Sequence, residues 1–359
     1  MQKPLGNVLL IWDRIGDYHA ARFLELEKTV GKTNAFISDL GGADSIYKWT
    51  NPLAGNLNYK PLSDKPVENS AIFIRVKNFL SIVKKEKIRI VGLAGYGRIE
   101  YLLILILSKF LGVQIVLFAE SWYGDNSLKN KLKGLFLNVF CKGFFVSGRR
   151  AKEHFSSKLG IPNHKIAIGY SVVDNSHFGS QPGVEKENIL LCVARFSDEK
   201  NLINLIKAFK ASVLSREWTL KIVGGGPLKD LLINEIGGNL NIQLSEWLSY
   251  EALPFLYAHS KFFVLPSKFE PWGLVVNEAM AAGLPVALSS QCGCMPDLVG
   301  DTNVFIFDAE DLVDISLVLN KIASLDVLDL EKLGNKNMIK IEEFSPKVWV
   351  RNFLNLAYS

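Results

Sequence analysis

One stretch, residues 262–290, limits what this chain can fold into more than any other. It reads FFVLPSKFEPWGLVVNEAMAAGLPVALSS: an apolar run, a polar loop, a helix-forming segment that Gly283 closes, and a second apolar run. Short apolar runs bounded by turn residues are typical of buried strands, and strands that alternate with helices are typical of a parallel sheet. The stretch therefore predicts a strand, loop, helix and strand of an α/β protein, with Pro271 in the first helical turn.

The same alternation continues through the rest of the chain. Apolar runs suitable for buried strands include residues 7–12, 35–38, 88–93, 114–119, 165–169, 189–194 and 219–223. Segments with helical spacing separate many of them, and the Gly- and Pro-containing residues 41–64 are expected to be mostly loop. The polar segment 171–188 divides the chain, so the pattern predicts two Rossmann-like domains.

The predicted domain bounds follow from this division. We place a first domain at residues 1–175, a second at 176–344, and a C-terminal docking helix at 345–359, whose return to the first domain is left open. A chain of 359 residues is long enough for two such cores. With 48% hydrophobic and 21% charged residues, the composition excludes a disordered protein.

Cysteine usage and apolar segments bear on location. The four cysteines are too few and too scattered for a disulfide framework, and they lack zinc spacing, so reduced thiols in a cytoplasmic protein are expected. The N-terminus has no signal-peptide pattern. The longest apolar region, 102–118, is interrupted by Lys109, Gly112 and Gln114, which favours a buried helix and strand over a membrane span.

A net charge of +5 is mild but unevenly distributed. Basic residues crowd one region, namely Lys129, Lys131, Lys133, Lys142, Arg149, Arg150 and Lys152. Apolar residues interleave with them, which fits either a core helix with a solvated basic face or a face that rests on anionic lipid. No nucleic-acid partner is expected, and the Lys129–Lys152 region is a candidate for an inner membrane surface.

Residues suited to ligand binding or catalysis follow several predicted strands. Glycines stand at strand-to-helix turns, where they serve either as simple turn residues or as points of close ligand approach: Gly16, Gly224, Gly225 and Gly273. Arg195 and Lys200 lie in one loop, and this loop taken alone favours a solvated surface pair, whereas its place after a buried strand and beside the other elements favours a site. Glu270 lies in the central loop, whereas Glu278 is either a solvated helix residue or a carboxylate that needs a partner among apolar neighbours.

Several segments together resemble one known family. The segments GYSVVDNSHF, VARFSDEKN, VGGGP and EPWGLVVNE followed by AMAAGLPV resemble, in order, those of the retaining glycosyltransferases of family 4, over roughly residues 147–308. The resemblance implies the GT-B fold, in which two Rossmann-like domains face each other across a cleft. It also implies transfer of a sugar from a nucleotide-sugar donor with its anomeric configuration retained.

The resemblance implies roles for these residues. Arg195 and Lys200 would stabilise the leaving diphosphate without a metal or other cofactor. Glu270 would contact the donor sugar, and Glu278 would accept hydrogen bonds from the ribose. The backbone N–H groups near the start of the helix would hold the diphosphate, at Gly273, Leu274 and Val275, with Gly16 closing from the first domain.

The chain also departs from the family pattern. Many members carry a histidine after the fourth strand of the first domain, where this chain has Glu120, Ser121 and Trp122. Glu120 and Ser121 are therefore candidates for acting on the acceptor. His19, which follows the Gly16 turn, is a separate candidate, and its alternative is a structural or solvated histidine. Trp272 replaces a common phenylalanine, and CGCMPD replaces a glycine pair followed by glutamate.

The sequence thus predicts a glycosyltransferase that acts on a glycan or lipid-linked acceptor in surface polysaccharide or glycolipid synthesis. Two alternatives stay open. One is a sugar-nucleotide epimerase or a phosphorylase on the same fold. The other is a non-catalytic subunit that binds nucleotide-sugars. The donor, acceptor and linkage are not encoded in any of these motifs.

Overall fold

A computed structural model describes residues 6–41, 51–125, 127–179, 181, 183–300 and 305–359. The chain forms two compact units. The first contains the residues up to Val173 together with Pro346–Ser359, and the second contains Asp174–Ser345. The domain bounds given above stay predictions. The part of the predicted loop at residues 42–50 lies outside the described residues.

The first unit is built on a parallel six-stranded sheet. Its strands are β1 (Asn7–Trp12), β2 (Ala35–Asp39), β3 (Ile88–Ala94), β4 (Gln114–Ala119), β5 (Gly143–Val146) and β6 (Ile166–Ile168). The helices before the second unit are α1 (Asp17–Val30), α2 (Ile72–Lys85), α3 (Ile99–Phe110), α4 (Leu128–Phe140) and α5 (Arg149–Glu153). The strand order is β2-β1-β3-β4-β5-β6.

The second unit repeats this arrangement. Its strands are β7 (Ile189–Val193), β8 (Thr219–Val223), β9 (Ile242–Ser245), β10 (Phe262–Leu265), β11 (Val286–Ser289) and β12 (Ile306–Phe307). Its helices are α6 (Asn175–Phe178), α7 (Leu202–Ala211), α8 (Lys229–Ile236), α9 (Leu253–His259), α10 (Leu274–Ala281), α11 (Met295–Leu298), α12 (Leu312–Ala323) and α13 (Val327–Ile341). The order β12-β11-β10-β7-β8-β9 places the carboxyl ends of β10, β7 and β8 side by side.

The final helix, α14 (Pro346–Tyr358), packs in the first unit against α1 and β4–β6. The rings of Trp349 and Phe353 lie 5.6 and 5.8 Å from that of Phe118 in β4. Phe118 also stacks 5.8 Å from Trp12 in β1, two strands away. Gly92 in the intervening strand β3 makes this possible, because a methyl group there would lie 2.3 Å from the Phe118 ring.

The structure confirms the predicted α/β class, with a Rossmann-like parallel six-stranded sheet in each of the two units. Strands β1, β4 and β8 have the predicted bounds. The prediction for Pro271 is wrong, because α10 begins only at Leu274. Gly273 precedes it with φ 102°, a left-handed conformation from which no helical turn can extend back to Pro271. Among the described residues, no helix combines the length and apolarity needed to cross a membrane.

Candidate functional site

The loop after β10 carries Glu270 next to a lysine from the loop after β7. Lys200 Nζ donates a hydrogen bond to Glu270 Oε2, and Ser267 Oγ donates to the same oxygen at 3.4 Å. The Lys200 and Glu270 side chains are only 13% and 12% exposed. Partial exclusion of water strengthens the attraction between such charges. The structure therefore brings two of the predicted site residues together at the carboxyl edge of the second sheet.

The second cation of this edge, Arg195, follows β7 and is itself held by an acid. Its Nη2 lies 2.7 Å from Glu199 Oε1, which also accepts a hydrogen bond from Ser197 Oγ at 2.7 Å. Burial opposes the charge of Glu199, but the Ser197 hydroxyl and the charges of Arg195 and Lys200 outweigh it and hold the pKa of this carboxyl below its usual value. Each of the two cations is thus paired with one glutamate.

Backbone hydrogen bonds join the Glu270 loop to the loop after β11. The Gly293 N–H donates to the Glu270 carbonyl at 2.9 Å, and the Cys294 N–H donates to the Trp272 carbonyl at 3.1 Å. Trp272 is buried, and its indole N–H donates to Asn277 Oδ1 at 2.9 Å. The Trp272 departure therefore fixes the loop that holds Glu270 to α10, whereas the CGCMPD segment holds the loop through backbone groups that do not depend on its side chains.

Helix α10 presents its N-terminus directly after this loop. Gly273 caps it, and Leu274 and Val275 form its first turn, with both side chains partly exposed. The first N–H groups of a helix have no partner inside the helix, and the helix dipole makes this end attractive to anions. The three predicted diphosphate-binding positions therefore lie at a helix N-terminus close in sequence to Glu270.

Glu278, one turn further along α10, is buried and hydrogen-bonded. Its side chain is 1% exposed, and the hydroxyl of the buried Tyr257 in α9 donates to Glu278 Oε2 at 2.6 Å. A carboxylate in such a place needs a donor to offset the loss of hydration. Of the two interpretations of Glu278, the structure supports a partnered carboxylate. Its contact with a ribose stays a prediction.

The two glycines of the turn after β8 are required for different physical reasons. A methyl group on Gly224 would lie 1.9 Å from the Ala194 carbonyl oxygen, whereas one on Gly225 would lie 2.9 Å from the indole nitrogen of Trp247. Gly224 therefore permits a close backbone approach to the end of β7. Gly225 accommodates a half-exposed tryptophan. Donor binding by either glycine stays a prediction.

In the first unit, Gly16 caps α1 and binds His19. The Gly16 N–H donates to His19 Nδ1 at 3.1 Å, and the imidazole ring lies 4.8 Å from that of Trp12. Burial, aided by the charge of Arg22, lowers the pKa of His19 well below its ordinary value. His19 is therefore a neutral imidazole that caps a helix and packs on an aromatic ring.

Glu120 follows β4 and meets two serines from neighbouring strand ends. Ser171 Oγ donates to Glu120 Oε1 at 2.6 Å, and Ser147 Oγ donates to the Glu120 main-chain oxygen at 3.4 Å. Beside them, the Trp122 ring lies 4.9 Å beneath the Arg150 guanidinium, which makes a cation–π contact. Glu120 thus has a fixed hydrogen-bond partner at the carboxyl edge of the first sheet.

Sequence reasoning missed several partners of the predicted residues. Tyr257 and Ser171 carry no local signal, because their hydroxyls meet the glutamates only through the tertiary fold. Glu199 gave no such signal either, because it pairs with Arg195 in a loop that ends in a 3-10 turn, where the four-residue spacing of α-helical pairs does not apply. Within the described ranges, no group of three or more His, Cys, Asp or Glu side chains is arranged to hold a metal ion.

The fold is shared with solved structures at low sequence identity. The structure of Anabaena HepE in complex with UDP and glucose matches with a TM-score of 0.74 and 16% identity, over 98% of each chain. At this identity the likeness defines the class of fold alone. It is that of a two-unit α/β protein with a parallel sheet in each unit.

The family follows from the sequence of the second unit. Residues 174–337 match the family described as Glycosyl transferases group 1. The second unit is therefore similar to the group 1 glycosyl transferases, which confirms the predicted resemblance at this level. The finer assignment to family 4 stays a prediction.

Curated relatives match over part of their length. The O-antigen chain mannosyltransferase B of Escherichia coli is 40% identical over 167 residues, 44% of this chain and 43% of the relative. The MMP alpha-(1->4)-mannosyltransferase of Mycolicibacterium hassiacum is 26% identical over 233 residues, 62% of this chain and 54% of the relative. The chain thus spans about half the length of these relatives.

Proposed function

We propose that this protein is a retaining glycosyltransferase that moves a sugar from a nucleotide-sugar donor to a glycan or lipid-linked acceptor. The observation that carries the proposal is the shielded Lys200 and Glu270 pair at the carboxyl edge of the second sheet. Parallel α/β sheets bind ligands at that edge. The edge lies within residues 174–337, which match the group 1 glycosyl transferases.

In this proposal the cations act on the diphosphate. Breaking the bond to the sugar builds negative charge on the leaving phosphate oxygens, and fixed positive groups stabilise that charge. Lys200 and Arg195 supply two such groups, and the N-terminus of α10 supplies N–H donors. The reaction is therefore proposed to need no metal, and a chelator is expected to leave the rate unchanged.

The two predicted glutamates act on the sugars of the donor. Glu270 contacts the transferred sugar and supports positive charge developing at its anomeric carbon. Glu278 accepts hydrogen bonds from the ribose, with Tyr257 fixing one carboxylate oxygen. UDP and glucose are bound in the structure of the similar HepE protein, which supports a nucleotide-sugar as the donor class.

Release of nucleoside diphosphate from a panel of donors tests the proposal. Glu270→Ala and Lys200→Ala are expected to lower the rate by at least 100-fold, the scale of losing one group that stabilises transition-state charge. Lys268→Ala is the matched control. Lys268 stands two residues before Glu270 and pairs with the exposed Asp198 instead of a predicted site residue. Wild type that releases nothing from any donor would contradict the proposal, as would equal rates in all three variants. The anomeric configuration of the product, read by NMR, tests retention.

A lipid surface is proposed as the site of action, at the cytoplasmic face of a membrane. Helix α4 exposes more than half of each of four apolar side chains on one face: Leu128, Leu132, Leu135 and Val139. The helix contains Lys129, Lys131 and Lys133 and no acidic residue. An apolar face flanked by lysines fits the interface of an anionic bilayer.

Sedimentation with vesicles tests this surface. Wild type is expected to sediment with phosphatidylglycerol vesicles at low salt and less with phosphatidylcholine vesicles, because the lysines attract anionic headgroups. Leu135→Glu should weaken this binding. Leu240→Glu, at an exposed leucine of the second unit, should not. Equal sedimentation of both variants and wild type would refute the α4 surface.

A further inference from the structure

Three adjacent strands of the first sheet end in one polar cluster. Glu120 directly follows β4, Ser147 directly follows β5, and Ser171 lies shortly after β6. The two serines are buried, whereas the Glu120 side chain is partly exposed. The carboxylate therefore stands at the edge of the sheet where ligands bind, with buried hydroxyls behind it.

The segment that carries Ser171 is fixed to the end of β5. The Gly169 N–H donates to the Ser147 carbonyl at 3.2 Å, and the Tyr170 N–H donates to the Val146 carbonyl at 3.1 Å. The Tyr170 hydroxyl accepts a hydrogen bond from Trp12 at 2.8 Å. The Ser171 hydroxyl is thus held in place before it meets Glu120.

The two serines bond different parts of Glu120. Ser171 Oγ reaches the carboxylate at 2.6 Å, and Ser147 Oγ reaches the main-chain oxygen at 3.4 Å. A short bond from a hydroxyl to a charged carboxylate is among the stronger hydrogen bonds in proteins. A partly exposed glutamate otherwise samples many rotamers, and ordering it on ligand binding costs conformational entropy. Ser171 therefore orders the side chain in advance.

The other candidates for the acceptor-facing group are less suitable. His19 already uses Nδ1 to accept from the Gly16 N–H, and its ring packs on Trp12. Ser121 carries only a hydroxyl, which accepts a hydrogen bond less strongly than a carboxylate does. Glu120 is thus the strongest acceptor among the three.

We propose that Ser171 is a positioning residue for Glu120, and that the Glu120 carboxylate accepts a hydrogen bond from the reacting hydroxyl of the acceptor. The inference rests on the proposed glycosyl transfer and names the acceptor as a hydroxyl compound. No bond to the protein forms. The oriented carboxylate holds the hydroxyl while Ser171 holds the carboxylate.

Steady-state kinetics with a saturating donor and a varied acceptor tests the role of Ser171. Ser171→Ala is expected to lower kcat/KM for the acceptor by roughly 10- to 100-fold, the effect of losing one hydrogen bond to a charged group. Ser171→Thr keeps a hydroxyl and should recover most of the loss. Ser147→Ala is the matched control: it removes an equally buried hydroxyl next to Glu120 but leaves the carboxylate bond, so it should change kcat/KM by about twofold or less.

A double-mutant cycle separates positioning from general support of the fold. In the Glu120→Gln background the charged acceptor of the Ser171 bond is gone, so Ser171→Ala should then cost only about twofold. A structural role would give the same loss in both backgrounds. Hydrogen-exchange protection of the amides of β1 and β3, in the same unit as the substitutions, should be equal in all variants, which shows that each is folded.

The outcomes distinguish the two proposals. Wild type without transfer to any hydroxyl acceptor contradicts the proposed function and the inference with it. Active wild type in which Ser171→Ala matches Ser147→Ala, or in which the cycle is additive, overturns the inference alone.

Discussion

Replacing Gly224 by alanine should destabilise the second unit strongly. A methyl group there would lie 1.9 Å from the Ala194 carbonyl oxygen and 2.9 Å from its carbon, far inside the usual contact distance. Those atoms belong to the backbone, and they cannot rotate away. The Ala194 N–H donates to Val223 at 3.0 Å and the Gly224 N–H donates to Ser245 at 3.0 Å, so β7, β8 and β9 would have to shift together.

The loss in free energy of unfolding caused by Gly224→Ala can be judged against that caused by Gly225→Ala. Overpacking a rigid site costs typically 1–3 kcal/mol, and the immobile backbone places Gly224→Ala at about 3 kcal/mol. Gly225→Ala instead meets the indole of Trp247 at 2.9 Å, and this side chain is half exposed. Trp247 can turn toward solvent, so we expect a loss of about 1 kcal/mol or less.

Amide hydrogen exchange, measured at increasing concentrations of denaturant, provides the assay. Amides of β7 and β8 should lose protection in Gly224→Ala while those of β1 and β4, in the other unit, keep theirs. Gly225→Ala should resemble wild type in both units. If Gly224→Ala keeps wild-type protection in β7 and β8, or if Gly225→Ala is the more destabilised of the two, the explanation from close backbone approach is refuted.

Three further predictions concern buried polar groups. Tyr257→Phe removes the donor to Glu278 and should lower the free energy of unfolding by about 1.5–3 kcal/mol, measured by urea denaturation; an unchanged midpoint would contradict it. Burial raises the pKa of Asp39 to about 6, so the folded chain keeps a proton that the unfolded chain releases near pH 4, and stability should fall as the pH rises from about 4 to 6. Asp39→Asn should remove that fall, and an identical pH dependence in wild type and variant would show another group to be responsible. Trp272→Phe should cost about 1–3 kcal/mol by leaving Asn277 without its indole donor, and Trp272→Phe with Asn277→Leu should lose less in thermal unfolding than the single change.

Much of the framework could be predicted because it depends on local pattern. Continuous apolar runs bounded by turn residues predicted β1, β4 and β8 with their bounds, since a strand buried on both faces needs apolar residues throughout. The paired acids, the basic loop and the glycine turn pointed to the group 1 family, which the second unit matches. The start of α10 could not be predicted from Pro271, because the left-handed Gly273 sets it.

What the sequence by itself determined, then, was the class of fold and the residue types at the strand ends. Only the tertiary structure decided which partner each of those residues has. Tyr257 meets Glu278 across two helices, Ser171 meets Glu120 across two strand ends, and Lys200 meets Glu270 across neighbouring loops. The physical reason is that strand and helix formation depend on neighbours along the chain, whereas hydrogen bonds and ion pairs between distant side chains depend on strand order and packing.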